Sequence, residues 1–395
     1  MAVPKLRFKE FNQEWKNIVL EEVAQVERGK FSARPRNDPK YFNGNIPFVQ
    51  TGDISNSDIF FEKYSQTLNE LGLTVSKLFP PNTILITIAA NIGDPAITKF
   101  SIACPDSIVG ILVRENLSNV YFLKNILDLK KKTLDSQATQ NAQKNINLQV
   151  LKPLEISIPT LDEQTKIANF LTAVDEKISQ LNEQHQLMIQ YKKGVMQKIF
   201  NQEIRFKDDN GGEFGEFGEF GEFGEFGEWE EKKLGKLCCI TTGKLDANAM
   251  VENGKYRFYT CAKEFYHIDN FAFDSEALLI SDNGANVGYI HYYNGKFNAY
   301  QRTYVLEKWT ENIIYVKFFL EHFLKERINI GKNEGNTPYI VLSVLTEMPI
   351  LLPCLNEQAK IADFITKLEC KIENLSSQLN LAKEWKKGLL QQMFV

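Results

Sequence analysis

The sequence is short of the patterns from which catalytic and metal sites are built. Its six cysteines (Cys104, Cys238, Cys239, Cys261, Cys354 and Cys370) include no CxxC pair and no neighbouring histidine pattern. Neither a disulfide framework nor a zinc site is suggested by that pattern, and the cysteines read as reduced thiols, mostly in packing roles. Only four histidines occur, His185, His267, His291 and His322, and they are dispersed. There is no GxxxxGK[ST] phosphate loop, no HExxH and no GxSxG. Nor is there an Asn/Asp-Pro-Pro-Tyr/Phe run of the kind adenine methyltransferases carry; Phe79-Pro-Pro-Asn82 sets its prolines differently. The carboxylates of Asp53, Asp94 and Asp106 are of a type that binds magnesium, but nothing at nuclease spacing accompanies them. No apolar run approaches the roughly 18 residues of a membrane span, and Met1–Phe11 has no apolar core like that of a secretory signal. We therefore expect a cytoplasmic chain that is not itself a catalyst. Its 395 residues, 43% hydrophobic, suffice for two domains with cores of their own.

An excess of positive charge is also missing, the formal net charge being −4. The deficit is local. Residues 201–231 hold 2 basic and 11 acidic side chains, so the rest of the chain carries +5 (−4 plus 9). Attraction to phosphate depends on local positive surface, so the global acidity does not exclude a nucleic-acid partner.

What the sequence does have is an internal duplication. Residues 145–200 align without a gap onto 339–394 at an offset of 194, with 24 of 56 positions identical. The shared core runs Pro159-Thr-Leu-Asp-Glu-Gln164 against Pro353-Cys-Leu-Asn-Glu-Gln358, and both copies end alike, at Phe200 and Phe394. The halves also begin alike: Arg7-Phe8-Lys9 with Glu14-Trp15 recurs as Arg205-Phe206-Lys207 with Glu228-Trp229, and a Gly-Lys pair follows fourteen residues after each Trp. Between these ends, 31–140 and 245–335 share little beyond Ala90-Asn91-Ile92-Gly93 against Ala285-Asn286-Val287-Gly288. A duplicated frame thus presents two different heads.

From Leu161 to Phe200 and from Leu355 to Phe394 no proline interrupts, and apolar residues recur at spacings of three and four. Ile167, Leu171, Val174, Ile178 and Leu181 match Ile361, Ile365, Leu368, Ile372 and Leu375. The seam positions continue to Val195 and Ile199 and to Leu389 and Met393, and five heptads of this period predict a coiled-coil seam and helices that pair with each other, in preference to helices lying on a broad core. At about 1.5 Å per residue each helix spans roughly 57 Å. Asp162 and Asn356 suit helix starts, and Thr160 with Glu163 offers a capping box. His185, Lys192 and Lys386 interrupt the seam, either fixing its register or marking where it loosens. A second copy of the first helix would fill the seam of a chain truncated near residue 210, though with His185 and Lys192 crowding like charge.

Residues 46–51, 83–88 and 277–281 read as short β-rich runs, and 116–132 and 312–327 as helices, so each head is a mixed α+β domain. Two polar loops, 136–145 and 331–339, supply Gln137, Gln140, Gln143 and Lys144, and Lys332, Asn336 and Tyr339. Glutamine and asparagine amides pair bidentately with adenine and Lys or Arg with guanine or phosphate, although the same composition also makes a solvated turn. Gln50, Asn91 and Asn286 are further amide candidates. The basic loop with Lys30, Arg34 and Arg36, and Lys244, Tyr259, Lys263 and Arg302 in the second head, are candidates for phosphate contact, which sets register without reading sequence.

Two heads, each led by a Trp and followed by a long helix opening with Pro-x-Leu-x-Glu-Gln at 159–164 and 353–358, resemble the specificity subunits of type I restriction-modification enzymes over essentially the whole chain. The resemblance implies two target-recognition domains joined by antiparallel coiled-coil helices with pseudo-twofold symmetry, each head reading half of a split, asymmetric DNA site. It places the first recognition domain at 1–150, the first helical spacer at 151–203, a linker at 204–231, the second recognition domain at 232–344 and the second spacer at 345–395. It also implies two methyltransferase subunits using S-adenosylmethionine and motor-nuclease subunits using ATP and magnesium, with no cofactor in this chain. The rival reading is a coiled-coil scaffold that has lost DNA binding. Residues 212–226 are five Gly-Glu-Phe triplets, an acidic low-complexity tract read as an irregular connector. Deleting triplets is expected to leave both half-site sequences unchanged while altering at most the gap between them. Methylation mapping checks this, and a change in the bases recognised would put the tract inside a head.

Overall fold

The computed structural model describes residues 3–57, 59–89, 91–138, 145–206, 220–221, 227–329 and 339–395. Four helices carry the architecture: α1 (Val120–Leu129), α2 (Leu161–Phe200), α3 (Ile313–Asn329) and α4 (Leu355–Met393). Residues 207–219 and 222–226, which include most of the Gly-Glu-Phe tract, lie outside the described residues; Phe220–Gly221 forms a two-residue strand on Arg205–Phe206. No helix among the described residues is long and apolar enough to cross a membrane.

The chain divides into two units, Met1–Leu181 with Gln378–Val395, and Asn182–Ser377. Each therefore holds a head, the first part of the helix that follows that head, and the last part of the other long helix. In the first unit Ile167, Ala168, Leu171 and Val174 of α2 share one core with Trp15, Phe122 and Leu123 of the head and with Leu389, Met393 and Phe394. In the second, Ile361, Ile365 and Leu368 of α4 share a core with Tyr315, Phe318 and Phe319 and with Val195, Ile199 and Phe200. The start of one helix thus runs antiparallel to the end of the other. The seam expectation is corrected in one respect: its first heptads also lie on a broad core, because α1 and α3 pack against the same stripe. Ile178, Ile372 and Leu375 are only half-buried.

Both heads are built on four antiparallel strands in one order. In the first these are Ala24–Arg28, Ile108–Val113, Ile84–Thr87 and Pro95–Thr98, and in the second Cys239–Thr242, Thr303–Glu307, Phe273–Ser281 and Ile290–Ala299. A fifth strand and a separate four-stranded sheet are added in the first, and two further strands in the second. The β-rich reading of 46–51 fails past Phe48: Gln50 accepts the role of N-cap to a helical turn, Thr51–Ser55, whose Asp53 carboxylate takes the Gln50 N–H at 2.9 Å. Packing roles hold for Cys104 and Cys238, which are buried, but Cys239, Cys354 and Cys370 are exposed.

The duplicated motif is a clamp. The Glu163 carboxylate, 1% exposed, accepts Arg7 Nε at 2.7 Å and Nη2 at 2.7 Å; Glu357, fully buried, accepts Arg205 Nε at 3.0 Å and Nη2 at 2.6 Å. The buried Gln164 side chain accepts the Asn119 N–H at 3.0 Å and donates to Pro159 O at 3.0 Å. Gln358 repeats this with Asn312 at 3.0 Å and Pro353 at 2.9 Å. Asn119 and Asn312 in turn cap α1 and α3 through their side-chain oxygens. The capping-box expectation is overturned by this: Glu163 turns to a guanidinium 156 residues away, and Asp162 lies inside α2, not before it.

The seam lysines meet acids. Lys386 lies 2.5 Å from Asp175, which also accepts the Tyr121 hydroxyl, and Lys192 lies 2.6 Å from Glu369. Lys192 and Lys386 are equivalents under the 194-residue offset, as are Asp175 and Glu369. His185 is half-buried with Nδ1 unpartnered among the described residues.

Removing one member of a buried ion pair strands the other, at a cost of about 3–5 kcal/mol. Arg7→Ala is expected to lower stability by that much in calorimetry; a variant melting with the parent chain would show the clamp to be dispensable. A chain ending near residue 210 is expected to dimerise, since a second α2 supplies Lys192 to Asp175 where like-charge crowding was anticipated. Light scattering that finds a folded monomer overturns this.

Candidate nucleic-acid interface

The Gly-Lys pair after each Trp has a steric cause. Gly29 N–H donates to Ile108 O at 2.8 Å and Gly243 N–H to Thr303 O at 3.2 Å. A Cβ on Gly29 would lie 2.2 Å from Pro105 O, and one on Gly243 1.9 Å from Ala299 O, so only glycine lets the strands approach this closely. Lys30 and Lys244, both exposed, leave the sheet at the same point in each head.

In the first head this point adjoins the turn at Cys104–Ser107. Lys30 N–H donates to Cys104 O at 2.9 Å, and Arg36 pairs with Asp106 at 2.6 Å. Arg34 is exposed and donates to its neighbour Ala33 O. Ser107 O accepts the Ile88 N–H, and Ala89 bridges Asn145 at the end of the polar loop. Asn91 Nδ2 donates to Ser55 Oγ at 3.0 Å, tying this loop to the turn that Gln50 begins, while Gln50 Nε2 donates to Gln66 at 3.0 Å. One edge of the head therefore gathers Lys30, Arg36, Asn91 and Asn145, and Gln137 is exposed. Asp53, Asp94 and Asp106 are engaged by Gln50 and Ser65, by Lys131, and by Arg36 respectively.

The second head repeats the edge. Leu245 bridges Tyr300, Asp282 N–H donates to Arg302 O, and Asn283 bridges Tyr339, which is 60% exposed. Asn286 Nδ2 donates to Cys261 O at 2.9 Å, drawing the segment with the exposed Lys263 over the same loop. Burial pushes the Asp282 carboxyl above its ordinary range, opposed by the guanidinium of Arg302. Burial likewise lowers His291, whose Nε2 lies 2.9 Å from Ala262 O.

Tyr259 is not at this surface. It is 1% exposed, beneath Phe265, Tyr293 and Phe297, so its expected phosphate contact is ruled out by packing. The amides of Asn91 and Asn286 already donate within the head, which makes them loop-holding groups. Gln140, Gln143 and Lys144, and Lys332 and Asn336, lie outside the described residues. Asp282 was missed because an acid just past the end of a strand carries no sign of its burial; the backbone node it shares with Ile88 becomes visible only in three dimensions.

A family model described as the type I restriction modification DNA specificity domain matches residues 12–190 and 227–383. The EcoDI specificity subunit of Escherichia coli is 38% identical over 148 residues, 37% of this chain and 32% of that protein, so this match spans about a third of the relative. The MjaIX specificity subunit of Methanocaldococcus jannaschii is 23% identical over 96% of this chain and 93% of that protein. The solved S subunit of a type I restriction-modification system from M. genitalium has the same fold, with a TM-score of 0.64 at 18% identity, covering 100% of this chain and 99% of that one. With both repeats matched over most of their length, this chain belongs to the type I restriction-modification DNA specificity family, whose members are recognition subunits and not catalysts.

Proposed function

We propose that the chain reads a two-part, asymmetric DNA site, one half per head, and serves as the docking frame for the other subunits of a type I complex. The observation that carries the reading is a shared backbone edge dressed with different side chains: Ile88, Ser107 and Asn145 in the first head against Asp282, Arg302 and Tyr339 in the second. Equal geometry with unequal chemistry suits two readers of different sequence, because base edges are distinguished by their donor and acceptor patterns. Exposed Lys30, Arg34, Lys244 and Lys263 around the edge supply phosphate contacts that hold the duplex in register.

The partners in this reading are two methyltransferase subunits, which take S-adenosylmethionine, and motor-nuclease subunits, which take ATP and magnesium. This chain contributes the choice of site. Two equivalent units suit two copies of one partner, since each unit offers the same helix-pair frame.

Genome-wide methylation mapping in cells expressing the chain with its methyltransferase subunit is expected to give two short motifs separated by unread bases. Exchanging residues 31–140 for those of another subunit should change one half-motif and leave the other intact. A continuous motif, or loss of both halves on exchange, overturns the proposal.

A further inference from the structure

One backbone node recurs in both heads with different side chains on it. Ile88 N–H donates to Ser107 O at 3.0 Å and Ile146 N–H to Ile88 O at 3.0 Å; Asp282 N–H donates to Arg302 O at 3.0 Å and Ile340 N–H to Asp282 O at 2.7 Å. Ile88 is 1% exposed and Asp282 5%. The first head shows that an apolar side chain fills this position, so folding does not require a carboxylate there, and a buried charge is a weak source of stability. Asp282 Oδ1 has no hydrogen-bond partner among the described residues. Its Oδ2 lies 3.8 Å from Arg302 Nη1, beyond hydrogen-bond reach but close enough to hold an exposed guanidinium by charge. The Cys261 thiol donates to the Arg302 carbonyl, but among the described residues no hydrogen bond occupies the Arg302 guanidinium, which leaves its planar fork of donors for a ligand.

We propose that Arg302 reads a guanine of the second half-site, donating to its O6 and N7 in the major groove, and that Asp282 is a positioning residue behind it. This rests on the reading of the chain as a DNA specificity subunit. Guanine is the base with two adjacent acceptors on that edge; adenine offers an acceptor beside a donor and cannot take both arms of the fork. A phosphate contact needs charge but little aim, and a buried acid behind the arginine would weaken it. A base contact needs aim, which a fixed counter-charge supplies. The first head, with Ile88 and Ser107 at the node, lacks this contact.

The test is methylation mapping with the full chain and its methyltransferase subunit, comparing the parent with Arg302→Gln, Arg302→Lys and Asp282→Asn. Arg302→Gln should remove the requirement for guanine at one position of the second half-motif, cutting discrimination roughly 10-fold or more, and leave the first half-motif unchanged. Asp282→Asn, of nearly equal shape, should relax the same position by a smaller factor, a change in base identity that a purely structural role would not produce. Binding of the purified complex to duplex carrying 7-deazaguanine there should weaken for the parent and not for Arg302→Gln. Evenly weaker methylation with an unchanged motif identifies a phosphate contact and overturns the proposal. So does a second half-motif without guanine. If Arg302→Gln abolishes methylation, a relaxed guanine position in Arg302→Lys or Asp282→Asn supports the assignment, and an unrelaxed one overturns it. Absence of any two-part motif for the parent chain overturns the underlying reading; a two-part motif that the variants leave untouched overturns only the role of Arg302.

Discussion

The buried pairing of Arg7 with Glu163, and of Arg205 with Glu357, is the interaction on which the arrangement of each unit depends. An apolar contact tolerates sliding, but a two-armed guanidinium–carboxylate bond has one geometry, and burial makes any other geometry expensive. The glutamate sits in the first turn of the long helix, where the exposed N–H ends of the helix also favour negative charge. Its neighbour, Gln164 or Gln358, holds the residue that caps the head helix. Two successive side chains thereby fix three segments: the approach to the head, the head helix and the long helix. That accounts for the repetition of Glu-Gln together with an arginine some 150 residues earlier.

Fixing the frame this firmly leaves the heads free to differ. The glycine contacts at Gly29 and Gly243 and the node at Ile88 and Asp282 use backbone atoms alone, so they survive any exchange of side chains around them. Side chains that would be costly in a lone domain become tolerable there. Asp282 is such a case: a buried acid held by backbone geometry that its apolar counterpart in the first head also satisfies.

The long helices, their pairing and the duplication were legible in the sequence because they rest on periodicity and self-similarity, both one-dimensional. The errors arose where a partner outside the one-dimensional pattern decides. Glu163 stands three residues after Thr160 in perfect capping spacing, yet Arg7 offers a charge-assisted bond that outweighs a backbone N–H. Tyr259 stands with Lys244, Lys263 and Arg302 as a candidate for phosphate contact, but it ends a strand whose last two residues are both buried, and its ring joins the aromatic core. Gln50 belonged to a β-branched and aromatic run, and the Asp53 carboxylate three residues on bends the chain into a turn. In each case the deciding partner lies off the local pattern or on the unseen face of an element.

The direction of helix pairing also follows from the duplication once the charges are placed. Each copy of the helix carries an acid at one position, Asp175 or Glu369, and a lysine seventeen residues later, Lys192 or Lys386. Parallel pairing in register would set acid against acid and lysine against lysine. Antiparallel pairing sets each lysine against the other copy's acid, as seen at 2.5 Å and 2.6 Å in the two units. Half-buried charges amplify the difference, because repulsion between like charges grows as the surroundings become less polar. In the second unit Lys317 of the head helix joins the same cluster, 2.9 Å from Glu321 and 3.4 Å from Glu369, and in the first the buried Lys124 keeps Asp128 at 3.5 Å. A helix with one acid beside its seam and one lysine on it is therefore self-complementary in one orientation only, and two copies within one chain share that orientation whatever lies between them.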